Sequence, residues 1–263
     1  MIRKEKIAIV TTVVNFELYK KTATLFPKEI DKIVIDGTLG MYGLNSINYM
    51  FEKLKFRHYD WIIMADEDVF FYNAEKVITT IEYMAENDYD VAGVRDGGVI
   101  KHRFDNPMAM NTFFTILNFK KISAVYKFEE VISCQKIYPE LYSKVLNLPY
   151  EYNNASLKEP YYCFYFWLQL KGFKLLFLDT INPVGIDETA NDILSSDGER
   201  IAMHSWYARA YQVYEDQTVR INQFIKDFQI DSELDLKEVK IYKKYFFNFK
   251  KNVKKYIKSI LCK

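Results

Sequence analysis

Along the first hundred residues, apolar runs of strand length alternate with stripes at helical spacing. Lys6–Thr12 (KIAIVTT) is short, apolar and β-branched, the pattern of a buried strand. Phe16–Leu25 reads as a helix crossing back, stopped by Pro27. Lys32–Ile35 (KIVI) is a second strand, broken at Asp36-Gly37-Thr38. Leu44, Ile47, Met50, Phe51 and Leu54 recur at helical spacing, so Leu44–Phe56 reads as a helix with one buried face. Trp61–Met64 is a third strand. Asn73 can cap the next helix, whose stripe is Val77, Ile78, Ile81, Met84 and Ala85. Asp90–Val94 is a fourth strand, ended by Arg95-Asp96-Gly97-Gly98. This alternation predicts an α/β fold with a mostly parallel sheet and crossover helices on both faces. Ligands of such sheets sit beyond the carboxyl ends of the strands. Thr11, Thr12, Asp36, Asp66, Asp68, Arg95 and Asp96 all fall there.

From Lys101 onward the pattern loosens. His102–Met110 is polar and contains Pro107, which reads as a mobile loop. Asn111–Ile122 and Phe128–Tyr142 read as mixed and partly helical, and Leu148–Lys158 as loop. Pro160 suits the first turn of a helix reaching about Leu170, with Gly172 as its stop. Lys174–Leu178 is a strand. Ile181–Arg200 carries Pro183, Gly185 and Gly198 among polar residues, and reads as a flexible loop over a site.

The candidate chemistry is concentrated in Asp60–Tyr72 (DWIIMADEDVFFY). Asp66, Glu67 and Asp68 follow one apolar run and precede another. Adjacent carboxylates repel, and burying them unpaired is costly. A divalent cation at the strand end is the simplest remedy, and hard oxygen ligands suit Mg²⁺ or Mn²⁺. No Gly-x-Gly-x-x-Gly follows the first strand and no phosphate-loop Gly-Lys-Ser/Thr occurs, which disfavours an ordinary dinucleotide or nucleoside-triphosphate loop.

A strand ending in Asp-x-Asp between apolar runs resembles the metal-binding signature of A-type (GT-A fold, family-2-like) nucleotide-sugar-dependent glycosyltransferases. The segment Ile201–Tyr211 (IAMHSWYARAY) adds to it, because its His-x-Trp resembles the late metal-ligand position of that family. The resemblance covers roughly Lys6–Tyr211. It implies a GT-A-like domain over residues 1–230, with Asp66, Asp68 and His204 holding Mn²⁺ or Mg²⁺. It also implies nucleotide-sugar contacts from Thr11, Thr12, Asp36, Gly37, Asp66, Glu67, Arg95, Asp96 and Arg209. In inverting members a carboxylate near the start of the helix after the acceptor loop acts as base, and Glu159 occupies a similar place. The usual paired acids are absent because Pro160 follows, and Asp187 and Glu188 are rival candidates. On the residues alone, His204 could equally be a hydrogen-bonded core histidine, Glu159 a helix cap, and Arg209 a surface ion-pair partner.

Composition changes the picture in two places. Cys134, Cys163 and Cys262 are odd in number and far apart, with no Cys-x-x-Cys. Neither a zinc site nor a disulfide framework is indicated, and a reducing cytosol is the expected home. Residues 240–263 carry nine lysines and no acid, leaving 27 basic against 35 acidic residues elsewhere. On a helix, Tyr242, Tyr245, Phe246, Phe249, Val253, Tyr256, Ile257, Ile260 and Leu261 share one face and lysines cover the rest. Residues 231–263 therefore read as a basic amphipathic tail lying on an anionic membrane, at the inner face, or else packed on the body. No nucleic-acid-reading module is recognised.

These features converge on a metal-dependent glycosyltransferase using a UDP- or GDP-type sugar and a hydroxyl of a glycan or lipid-linked glycan. Two other classes fit parts of the pattern. A metal-dependent nucleotidyltransferase has a similar sheet with acids, and a non-enzymatic membrane- or glycan-binding module would keep the tail without a metal.

Overall fold

The computed structural model describes residues 2–142, 148, 150–183, 187–249 and 253. In chain order the elements are β1 (Ile7–Val13), α1 (Phe16–Thr22), β2 (Asp31–Asp36), α2 (Leu44–Leu54), β3 (Trp61–Ala65), β4 (Val69–Phe71), α3 (Ala74–Glu86) and β5 (Val91–Arg95). They continue with β6 (Met110–Leu117), α4 (Phe119–Val125), α5 (Phe128–Ser133), α6 (Pro139–Tyr142), α7 (Tyr162–Leu170), β7 (Leu175–Leu178), β8 (Thr180–Ile181), β9 (Asn191–Leu194), β10 (Arg200–His204), α8 (Glu215–Asp227) and β11 (Lys240–Tyr242).

The chain is a mixed α/β fold. Its seven-stranded sheet has the order β11-β2-β1-β3-β6-β5-β7, and only β6 runs antiparallel to its neighbours. Side-chain alternation divides the core. Ala8, Val10, Ile62 and Met64 face a cluster built with α2 and α7. Ile7, Ile9, Trp61 and Ile63 face another, built with α3. Both faces are covered, which is why β3 and the first four residues of β1, Ile7–Val10, are apolar at every position rather than at every second one. The start of α1 is set by Asn15, whose side chain accepts from Leu18 N–H, and that of α3 by Asn73, which accepts from Glu75 N–H.

The second half departs from the periodicity in three places. Met110–Leu117, expected to be partly helical, is a strand between β3 and β5. Its residues are buried on both faces, so no two-residue alternation marks it. The expected loop 181–200 contains β9, and β4, β10, β9 and β8 form a second, four-stranded sheet. The expected basic helix begins as a strand instead: Lys240–Tyr242 pairs in parallel with Ile33–Ile35 as the sheet edge. Lys243 then ion-pairs with Asp36 at 2.7 Å, and Lys244 with Glu52 at 3.2 Å. The sheet therefore extends past the expected boundary at residue 230. Residues 247–249 and 253 are helical; the rest of the predicted tail helix lies outside the described residues.

Candidate active site

Beyond the carboxyl ends of β1, β2 and β3 lies a cavity of about 760 Å³. Thr12, Asp66, Glu67, Asp68, Glu159, His204 and Arg209 all line it. Asp66–Asp68 form the tight turn between β3 and β4, where Val69 N–H returns to Asp66 C=O at 3.2 Å. β4 pairs with β10, His204 standing opposite Val69, and this ladder carries the histidine to the acids. His204 Nε2 lies 3.1 Å from Asp68 Oδ1. One ligand atom each from Asp66, Asp68 and His204 falls within 4.8 Å of the others.

The imidazole is 3% exposed and stacks on Phe113 at 4.0 Å between ring centroids. Its Nδ1 has no hydrogen-bond partner among the described residues. Burial, then Glu67 and Asp68, pushes the Asp66 carboxyl well above the ordinary range, against the pull of Arg209. Burial and Asp68 push Glu67 up to about 7. Two carboxylates and an imidazole at this spacing fit Mn²⁺ or Mg²⁺, and three protein ligands leave positions for water or phosphate oxygens. A cation would also relieve the charge crowding that raises the two acids.

Glu67 has a different use from its neighbours. Its Oε1 accepts from Val14 and Asn15 N–H at 3.0 and 3.1 Å, tying the β3–β4 turn to the start of α1. Asp68 is also committed twice: its Oδ2 accepts from Ala208 N–H at 3.3 Å and its carbonyl from Ser205 N–H at 3.1 Å.

The segment after β10 closes the cavity. Trp206 and Tyr207 hold left-handed backbone, φ 63° and 65°, which costs a non-glycine residue roughly 1–2 kcal/mol each. The surroundings hold them there. Asn15 Nδ2 donates to Ala208 and Tyr211 C=O at 3.1 and 2.9 Å, and Arg220 Nη2 donates to Ser205 C=O at 2.5 Å. Arg209 reaches the cavity with its guanidinium 4.4 Å from the Tyr42 ring centroid.

Other expected contact residues stand outside the cavity lining. Thr11 is one position out of phase with Thr12 and buried, its hydroxyl without a partner among the described residues. Asp36 accepts from Thr38 N–H at 3.0 Å and from Lys243. Burial opposes its ionisation, but the bonds to Lys243 and Thr38 prevail and lower its pKa. Gly37 is needed for close approach, since a Cβ there would meet Val14 Cγ2 at 2.9 Å. Arg95 is half-buried, with its guanidinium 3.6 Å from the Phe177 centroid and bonded to Pro107 C=O. Asp96 is fully buried and raised by that burial. It accepts from Asn111 Nδ2 at 2.6 Å, Tyr161 OH at 3.1 Å and Tyr162 OH, joining β5, β6 and the start of α7 behind the cavity wall.

Glu159 lines the cavity as expected of a base candidate, and burial and Asp96 raise its pKa. Of its rivals, Asp187 is committed to a bidentate pair with Arg220, and Glu188 is exposed; neither lines the cavity. Arg103, Tyr42, Asn45, Trp206 and Tyr214 also line it and were not singled out as contacts. The sequence marks Trp206 only as the end of the His-x-Trp segment, not as a contact. Arg103 lies in a polar stretch with no periodic signal.

No family model and no curated protein matches the sequence. Among solved structures, the chain is similar to the mannosyltransferase PcManGT from Pyrobaculum calidifontis in complex with GDP-Man and Mn²⁺, at 8% identity and a TM-score of 0.37. The match covers 67% of this chain and 55% of the mannosyltransferase, so it spans about half of that protein's length. It is similar to A197 from STIV at 13% identity and TM-score 0.38, over 75% of this chain and 93% of that one. It is also similar to mouse xyloside xylosyltransferase 1, apo form, at 9% identity and TM-score 0.38, over 66% and 85% of the two chains.

Proposed function

We propose that this chain is a metal-dependent glycosyltransferase that moves a sugar from a UDP- or GDP-type donor to a hydroxyl of a glycan or lipid-linked glycan. The observation that carries this reading is the approach of Asp66, Asp68 and His204 to within 4.8 Å in a cavity at the carboxyl end of the sheet. Asp66 and Asp68 would give oxygens, and His204 a ring nitrogen, to Mn²⁺ or Mg²⁺. When bound, that ion would neutralise charge on the leaving nucleoside diphosphate.

The chain's own residues would do the rest. Arg209 would pair with phosphate oxygens, a match its planar fork makes well. Tyr42 beneath it would hold the guanidinium plane. Thr12 and Asn45 would meet the polar edges of the donor, while Glu67 and Asp96 act from behind by fixing the walls. Glu159 would take the acceptor proton. The acceptor oxygen would bond to the anomeric carbon as the bond to the diphosphate oxygen breaks, the diphosphate leaving with the electron pair and the proton passing to the Glu159 carboxylate. The 206–211 segment would cover the reacting atoms and exclude water.

The tail supports a further part of the reading, attachment to an anionic membrane. Tyr245, Phe246 and Phe249 are 67–69% exposed beside the lysine run. No helix among the described residues is long and apolar enough to cross a membrane.

A screen of nucleotide sugars for Mn²⁺- or Mg²⁺-dependent release of nucleoside diphosphate tests the proposal. Release that depends on Asp68 is expected. Pyrophosphate release from a nucleoside triphosphate, with no turnover of any nucleotide sugar, would overturn it in favour of nucleotidyl transfer.

A further inference from the structure

Between β5 and β6 one short helical turn spans Lys101–Arg103. Arg103 leaves that turn into the cavity wall. Its guanidinium lies 4.8 Å from the Trp206 ring centroid, and its Nη2 lies 3.5 Å from Glu159 Oε1. Both side chains of the pair are less than a third exposed. The Arg103 Nε has no hydrogen-bond partner among the described residues, so the group is not used up by other contacts.

The charges around Glu159 narrow what Arg103 can do. Five other groups act on Glu159: Asp96, Asp105, Lys158, Tyr161 and Tyr162. Lys158 Nζ is bound to Asp105 Oδ2 at 3.0 Å, so these two largely cancel. Asp96 is a second carboxylate and favours the protonated form of Glu159, as does burial. Arg103 is left as the cation that opposes both. Its plane rests on Trp206, in the segment that also carries Ala208, which donates to Asp68. The Arg103 contact thus connects the two walls of the cavity.

We propose that Arg103 is a positioning residue for Glu159: held over the face of Trp206, it favours the ionised form of the Glu159 carboxylate and orients it at the cavity wall to take an acceptor proton. This rests on the transferase reading, in which Glu159 is the base. An opposite charge at this distance favours ionisation, and a guanidinium fixes direction as well as charge. A lysine would supply the charge without the planar fork or the same stacking on the indole.

The test uses the full chain, Arg103→Gln and Arg103→Lys, with two readouts. One is kcat/KM for the active nucleotide sugar against pH. The other is the titration of Glu159 followed by carboxyl ¹³C NMR, assigned by its loss in Glu159→Gln. In Arg103→Gln the acid limb and the Glu159 titration should move together to higher pH, by roughly half a unit or more. The sign follows from the charge: without the cation the carboxylate is harder to form. The loss in rate should therefore shrink as pH rises. Arg103→Lys should return the limb toward its wild-type position while kcat stays low. An equal loss at every pH, with the Glu159 titration unmoved, would overturn the proposal and leave Arg103 a packing residue. Wild-type kcat in Glu159→Gln would overturn it as well. Failure of the transferase reading looks different: wild-type protein would turn over no nucleotide sugar, and the base role would fall with it. The NMR titration would then still decide whether Arg103 controls the charge on Glu159.

Discussion

His204 Nε2 lies 3.1 Å from Asp68 Oδ1, across the antiparallel pairing of Val69–Phe71 with Ala202–His204. The two residues are far apart in sequence, and the second sheet is what brings them together. The same ladder seats the imidazole on Phe113, so His204 has a structural and a chemical surroundings at once. A single alanine substitution cannot separate the two.

His204→Gln and His204→Ala should therefore differ in a defined way. Both should raise the Mn²⁺ concentration for half-maximal activity by ~10-fold or more, since a ring nitrogen ligand is lost. Only the alanine variant should also lower the metal-free melting temperature strongly, because it leaves a hole against Phe113. Unchanged metal dependence in both variants would make His204 a core residue alone.

Asp68→Asn keeps the shape of the side chain and its acceptor for Ala208 N–H while removing the charge. Turnover should fall by ~100-fold or more, because a neutral amide is a poor ligand for a hard cation. The metal-free protein should melt no lower than wild type, since one of three crowded carboxylates is gone. Wild-type turnover at limiting Mn²⁺ would remove the metal assignment.

The Lys243–Asp36 pair makes a pH-dependent prediction. Bonds to Lys243 and Thr38 hold the folded Asp36 carboxyl below its ordinary value of 3.8 despite burial. A lowered folded pKa contributes stability above the unfolded value, and that contribution is lost as pH falls through the folded one. Lys243→Met should accordingly lower the melting temperature at pH 7, and by the same amount down to about pH 5. The difference should shrink as pH falls below about 4, where the unfolded carboxyl takes up its proton, and vanish only below the folded Asp36 value, where both states are protonated. A difference independent of pH would mean that the lysine stem, not its charge, is what matters.

Two truncations separate the parts of the C-terminal region. Removing residues 240–263 takes away the edge strand on β2 and the partner of Asp36, so loss of stability and aggregation through the bared edge are expected. Removing only 250–263 should leave melting and turnover of a soluble acceptor analogue near wild type. It should abolish sedimentation with anionic liposomes, an effect that salt weakens in the intact chain because charge is screened over ~8 Å at physiological ionic strength. Equal sedimentation of intact and shortened chains would exclude the lysine run as the attachment.

Much of the first hundred residues was legible because local rules dominate there. β1, β2, β3 and β5 bury both faces and so read as continuous apolar runs. α2 and α3 bury one face and so read at helical spacing. Asn73 caps α3 by a bond to Glu75 N–H within its own turn, which needs no tertiary knowledge. The Asp-x-Asp turn stood out for a similar reason, since charge between two apolar runs requires a partner wherever the chain goes. What lay beyond the sequence was every feature decided by long-range pairing. Met110–Leu117 is a strand because β3 and β5 flank it, not because of its own pattern. Lys240–Tyr242 is a strand because β2 leaves an open edge, although its neighbours read as a helix. Thr11 and Thr12 are indistinguishable in sequence; a one-residue difference in phase puts only the second into the cavity. Asp96 sits at a strand end like Asp66, yet Tyr161, Tyr162 and Asn111 close over it, whereas Asp66 and Asp68 line the cavity together with His204 and Arg209. Residue type and local spacing determined which groups could do chemistry. The packing of distant segments decided which of them meet, because a side chain's charge and hydrogen bonds depend on what the fold places within a few ångströms of it.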